Sequence, residues 1–252
     1  MGARAVGGPV TAERGDATGP APMETPGPGP AAVVPGRLGI LGGTFDPIHH
    51  GHLAIAEAAR EALGLERVLF VPARVPPHRP DRPIAGADDR AAMVALAIQA
   101  NPAFGLSRIE LDREGPSFAV DTLRAMAGEA GGDRPPDMWF ILSAEAFADF
   151  LDWREPAGIL ELSRLAVLPR DGHPPADLGT IATALPELAD RVRLLDGPRL
   201  RLAATEVRSR AARGLSVRYL VPDAVAAYIG DHRLYRNAVA ASRPPTGGTF
   251  AP

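Results

Sequence analysis

Two histidines three positions apart, His49 and His52, follow directly on the run Gly42-Gly43-Thr44-Phe45-Asp46-Pro47. Imidazole N–H groups donate to phosphate oxygens. At a helix start the two rings would share one face, with Gly51 leaving room for an anion beside them. Upstream, Leu38 to Leu41 reads as a buried strand, Gly42 and Gly43 allow a sharp turn and close backbone approach to a ligand, and a helical pattern begins near Gly51. A strand that passes through glycine into a helix start makes an anion site, because the first amides of the helix are unpaired and its dipole adds positive potential. Taken alone, the pair also suits two surface histidines or half a metal site. The chain has no cysteine to complete a soft-metal site, and His78 and His173 lack ligand-like spacing.

The string Gly42-Gly43-Thr44-Phe45-Asp46-Pro47-Ile48-His49-His50-Gly51-His52 resembles the nucleotidyltransferase signature with its His-x-Gly-His core, in the form typical of bacterial nicotinate-nucleotide adenylyltransferases. Further stretches carry the same resemblance. Val75-Pro76-Pro77-His78-Arg79 is similar to a Pro-Pro-His-Lys motif, with arginine in the lysine position. The segment from Arg113 to Leu123 is similar to Gly-x-Ser-Tyr-Thr-x-x-Thr-Leu, with Phe118 and Ala119 replacing tyrosine and threonine. Ser143-Ala144-Glu145 stands where the family commonly has Gly-Ala-Asp, and Trp153 matches the family's stacking tryptophan. Leu202 to Arg208 resembles Ile-Ser-Ser-Thr-x-Ile-Arg, with alanines at 203 and 204. With the closing stretch Gly214 to Ile229, the resemblance spans Leu38 to Tyr235.

The resemblance implies adenylyl transfer from ATP to nicotinate mononucleotide, giving nicotinate adenine dinucleotide and pyrophosphate, a step of NAD biosynthesis. The mononucleotide phosphate would attack the α-phosphorus in line, with Mg2+ accompanying ATP and no dedicated metal ligands from the protein. It implies His49, His52 and Arg208 as catalytic groups. ATP would meet those three together with Gly42, Gly43, Thr44, Phe45, Ser143, Glu145 and Thr205. Nicotinate mononucleotide would meet Arg79, Ser117, the Ala119 amide, the Trp153 ring and the Arg154 amide. Asp46 is expected to fix the turn rather than act as a base. Two alternatives stay open: a related transferase using another phosphorylated acceptor, and a non-catalytic nucleotide-binding protein.

These groups need a frame. The chain has 252 residues, 46% hydrophobic and 23% charged, with net charge −3. The charge argues against non-specific nucleic-acid binding and leaves phosphate recognition to local groups. All 27 basic residues of the Lys and Arg class are arginines, which excludes a Walker-type loop with its lysine. The absence of cysteine and of any bilayer-length apolar run suits a cytoplasmic protein. Residues 1–36 and 237–252 read as disordered ends, leaving one domain over 37–236. Within it, strands are expected at Arg67–Val71, Phe104–Leu111, Met138–Leu142, Leu165–Leu168 and Val192–Leu195. Helices are expected after Gly51, from Asp88 to Ala100, from Ile181 to Ala189, and from Pro222. Strand and helix alternate, so the fold class is α/β: a Rossmann-like, doubly wound, mostly parallel sheet with helices on both faces and ligands at the carboxyl ends of the strands.

Overall fold

The computed structural model describes residues 1–2, 33–77, 84–129 and 137–236. Six strands, β1 (Val34–Gly43), β2 (Leu65–Pro72), β3 (Phe104–Leu106), β4 (Asp137–Ser143), β5 (Arg164–Leu168) and β6 (Val192–Leu194), form one sheet in the order β3-β2-β1-β4-β5-β6. Every pairing is parallel. The winding reverses between β1 and β4, so the crevice beyond their carboxyl ends is the topological switch point where such sheets take ligands.

Side-chain alternation along the strands feeds two layers. Leu41, Phe70, Ile141 and Leu168 face one core, which is covered by α1 (His50–Leu63), α2 (Ala87–Ile98), α7 (Ala204–Ala212) and α8 (Asp223–Asp231). Ile40, Val71, Leu142 and Val167 face the other, covered by α3 (Ala119–Glu129), α4 (Ala144–Ala148), α5 (Pro156–Leu162) and α6 (Gly179–Ala184). Among the described residues, no helix is long and apolar enough to cross a membrane.

Several boundaries differ from the sequence expectation, each for a local reason. β1 begins at Val34, three residues inside the stretch read as a disordered end, because Val34 donates to Gly64 O and Gly36 N–H donates to Glu66. The remainder of the proposed N-terminal extension, apart from residues 1–2, and the whole proposed tail 237–252 lie outside the described residues. β3 stops at Leu106 instead of Leu111, since Ser107 turns the chain by accepting the Ile109 N–H on its hydroxyl. The helix expected over 181–189 is α6 followed by a 3-10 segment, Pro186–Arg191. Proline forces the preceding residue out of helical conformation, and Leu185 sits at φ −137°, ψ 62°. α8 starts one residue after Pro222, which serves as its N-cap. Gly64 closes α1 in the left-handed conformation, φ 62°, as expected of a C-cap.

The central strand tolerates little added bulk. A methyl group on Gly39 would lie 2.7 Å from Leu65 Cδ1 and 3.0 Å from Val68 Cγ2. The Gly39→Ala variant should therefore lose about 1–3 kcal/mol of stability. A lowered urea midpoint with an unchanged slope is the expected reading.

Candidate active site

The loop between β1 and α1 is held by its own main chain. Phe45 takes φ 48°, and its buried ring packs against Gly43, where a Cβ would stand 3.1 Å from the ring. Phe70, 5.8 Å away, and the edge of His52, at 5.0 Å, complete its surroundings. Arg90 on α2 is 1% exposed and donates to Thr44 O and Ala73 O, each at 2.7 Å, and to Ala85 O at 3.3 Å. Burial lowers the Arg90 guanidinium below its ordinary range and nearby Asp46 offsets part of that. Asp46 is the second anchor. Its carboxylate accepts N–H bonds from Ile84 and Ala85 at 2.9 and 3.1 Å and the Tyr235 hydroxyl at 2.9 Å. These three bonds fit a turn-fixing role.

α1 opens with the histidines. His49 is the N-cap and His52 the third helical residue, and their rings stack at 3.7 Å and 18°. The His49 N–H donates to His52 Nδ1 at 3.2 Å. A neutral His52 therefore carries its proton on Nε2. His49 is 2% exposed, and its Nδ1 has no hydrogen-bond partner among the described residues. Burial, aided by the charge of Arg170, lowers its pKa to about 4, so it stays neutral at pH 7. Gly51 is a packing requirement here: a Cβ would lie 3.0 Å from His49 Nδ1 and 3.1 Å from Cε1.

A second helix start meets the first. Leu202 Cβ lies 3.9 Å from the same Gly51 position, immediately ahead of α7. Arg208, on the second turn of α7, donates to Asp46 O at 2.7 Å. Thr205 is exposed in the first turn of α7, whose N-cap Ala203 makes no side-chain cap, so the leading amides are left for a ligand or water. The structure thus brings His49, His52, Thr205 and Arg208 to one end of the sheet.

Ser143 ends β4 and caps α4, its hydroxyl accepting the Ala146 N–H at 3.3 Å. The Glu145 carboxylate pairs with Arg170 Nε at 3.1 Å and lies 3.7 Å from His173 Nε2. The pair is partly exposed and worth about 0–1 kcal/mol.

The other half of the crevice is a groove of about 600 Å³ lined by Val75, Pro76, Pro77, Pro116, Phe118, Asp152 and Arg154. The Ser117 hydroxyl accepts the Arg74 N–H at 2.9 Å and its N–H donates to Val75 O, two residues before α3 begins. Below it Glu110, buried, accepts the Thr122 hydroxyl at 2.6 Å. Burial raises the Glu110 carboxyl, and hydrogen bonds from Thr122 and Ser117 oppose this. Ala119 opens α3, leaving its amide at a helix start. The Arg154 guanidinium lies 4.7 Å over the Phe118 ring, a contact the usual tyrosine would also permit. Trp153 is half-buried, edge-on to Phe140 at 6.1 Å and tilted against Phe150 at 5.8 Å. Arg79 and His78 lie outside the described residues. A larger cavity of about 900 Å³, between the end of α7 and α8, contains no residue of the signature loop.

Residues 40–210 match the family model described as Cytidylyltransferase-like. Together with the parallel sheet and the histidine loop at its switch point, this defines a nucleotidyltransferase of that class. A protein of Symbiobacterium thermophilum is 45% identical over 200 residues, covering 79% of this chain and 95% of its own length. One of Roseiflexus sp. is 46% identical over 199 residues, covering 79% and 98%. Both bear the name "probable nicotinate-nucleotide adenylyltransferase". The chain belongs to the nicotinate-nucleotide adenylyltransferase family. The solved structure of Plasmodium falciparum nicotinic acid mononucleotide adenylyltransferase complexed with NaAD matches with a TM-score of 0.63 at 18% identity, covering 79% of this chain and 97% of its own, a likeness of fold.

Two outcomes follow from the histidine geometry. The folded His49 pKa of about 4 lies below its ordinary 6.5, so between these values the unfolded chain binds a proton that the folded protein refuses. Stability should therefore fall as pH drops through that window, by up to about 3 kcal/mol, with no contribution from this group above it. Urea unfolding near neutrality and near the lower limit should show that loss in the native protein and a smaller one in His49→Gln. The Gly51→Ala variant should displace the His49 ring and lower turnover more than about 10-fold while far-UV circular dichroism stays native.

Proposed function

We infer that the protein joins nicotinate mononucleotide to the adenylyl group of ATP, releasing pyrophosphate. The observation that carries this reading is the meeting of two helix starts, α1 and α7, at the sheet's switch point, tied together by Arg208 and Asp46 at 2.7 Å. At α1 the His49, His50 and His52 amides are committed to His52 Nδ1, Leu220 O and His49 O, so the imidazoles are the donors there; α7 adds leading amides that no side chain caps, beside the Arg208 guanidinium. That donor set suits a triphosphate.

Gly42, Gly43, Thr44 and Phe45 form the wall on which ATP lies, with Thr205 and the α7 amides toward the β- and γ-phosphates. Ser143 and Glu145 border the adenosine side, where Glu145 would share its carboxylate between Arg170 and a ribose hydroxyl. Nicotinate mononucleotide takes the groove beside Phe118: the Trp153 ring stacks on the pyridine, the Ala119 and Arg154 amides hold its carboxylate, and Ser117 borders its approach; Arg79 is assigned to the same substrate from its sequence motif alone. A phosphate oxygen of the mononucleotide forms the new bond to the α-phosphorus as the bond to the bridging β-phosphate oxygen breaks. That nucleophile is already anionic near pH 7, so no general base is needed. His52 through Nε2–H, His49 and Arg208 act on the charge that grows on the transferred and leaving phosphates. The divalent cation, Mg2+ in this proposal, would arrive with ATP and neutralise phosphate charge, with no dedicated carboxylate cage from the protein.

Pyrophosphate release should occur with ATP and nicotinate mononucleotide. Release only with phosphopantetheine, or only with CTP, would reassign the acceptor or donor, and none with any pair would leave a binding protein. His52→Ala should lower kcat about 100-fold in folded protein. Trp153→Ala should raise the mononucleotide KM about 5- to 10-fold; an unchanged KM would return Trp153 to a purely core role.

A further inference from the structure

The last described turn of the chain reaches back to the signature loop. After α8, Arg233 and Tyr235 take φ 53° and 68°, left-handed values that non-glycine residues seldom hold without compensation. The turn they make, closed by Leu234 N–H to Ile229 O at 3.0 Å, points the Tyr235 side chain inward. Tyr235 is 4% exposed, and its hydroxyl donates to Asp46 Oδ1 at 2.9 Å.

Two other contacts from the same C-terminal third fall on the same loop. Arg208 donates to Asp46 O at 2.7 Å, and Leu220 O accepts the His50 N–H at 3.0 Å. Packing alone would be served by phenylalanine at position 235; the hydroxyl adds a directed bond to one carboxylate oxygen. That oxygen also takes the Ala85 N–H, so Tyr235 sets the plane of the carboxylate between the loop and the start of α2.

We propose that Tyr235 is a positioning residue for the reaction, its hydroxyl locking Asp46 so that the 43–49 loop presents its amides and histidines to the triphosphate in one geometry. The proposal rests on the reading of that loop as the phosphate site. Burial and the neighbouring Asp46 charge raise the phenol above its ordinary range, while Arg208 and Arg90 act in the opposite sense, so the hydroxyl remains a donor throughout the working pH range. No proton is exchanged with substrate, and the residue acts through Asp46.

The test uses the full chain with Tyr235→Phe, Asp46→Asn and the double variant. Pyrophosphate kinetics are run alongside amide hydrogen exchange of the substrate-free proteins. Tyr235→Phe should lower kcat about 5- to 10-fold, the worth of one buried hydrogen bond, and leave the mononucleotide KM within about twofold. Exchange should quicken about 10-fold at residues 44–50 and at Ile84 and Ala85 but not along α3 and α5. The double variant should be no slower than Asp46→Asn alone. Native kcat with native exchange in Tyr235→Phe, or exchange quickened equally in both helical layers, overturns the proposal. Should Asp46→Asn not fold, the exchange pattern of Tyr235→Phe decides alone. If the native protein releases no pyrophosphate, the functional reading fails, and the same exchange pattern still decides whether Tyr235 sets the loop.

Discussion

A buried guanidinium on three carbonyls is the constraint on which the site depends. Arg90 has no carboxylate within its hydrogen bonds; it spends its donors on Thr44 O, Ala73 O and Ala85 O. These belong to the ends of β1 and β2 and to the entry of α2, three chain segments that would otherwise leave polar groups unpaired in the core. The loop is anchored through its carbonyls and its one carboxylate. Arg90, Arg208 and Tyr235 take up that role from outside.

The same arrangement sorts the charges. His49 is buried and neutral, so it contributes shape and a polar nitrogen; the formal positive charge beside the loop comes from Arg90, Arg170 and Arg208. Arg170 is already matched by Glu145. An anion arriving at the crevice meets a guanidinium with a counter-ion that has to be shared, which tempers attraction for any stray phosphate.

Much of this was legible in the sequence. Glycine pairs, the histidine spacing and the alternation of apolar runs located β1, the loop, α1 and the parallel sheet, because each is a local signal. Gly64 behaved as its type requires. What stayed hidden was long-range. Arg90 lies on the inner stripe of α2 with Met93, Val94 and Ile98. A charge at a core position of a helical pattern was its one available signal, and its carbonyl partners lie up to 46 positions away. The Ser117 hydroxyl is taken by the N–H of Arg74, 43 positions distant, a contact with no local signal. The pairing of Glu145 with Arg170, just beyond β5, likewise has no local signal. The break at Pro186 was written in the residue itself and needed only the rule for residues that precede proline.

Asp46 and Tyr235 are separated by 189 positions. During synthesis the sheet's first strand and its loop leave the ribosome long before their anchor exists, so a nascent chain can lay down β1 to β6 while the catalytic loop still lacks its final restraint. The last of the loop's described anchors arrives with the turn after α8. A chain cut before that turn would retain every strand of the sheet and lack the hydroxyl that Asp46 accepts.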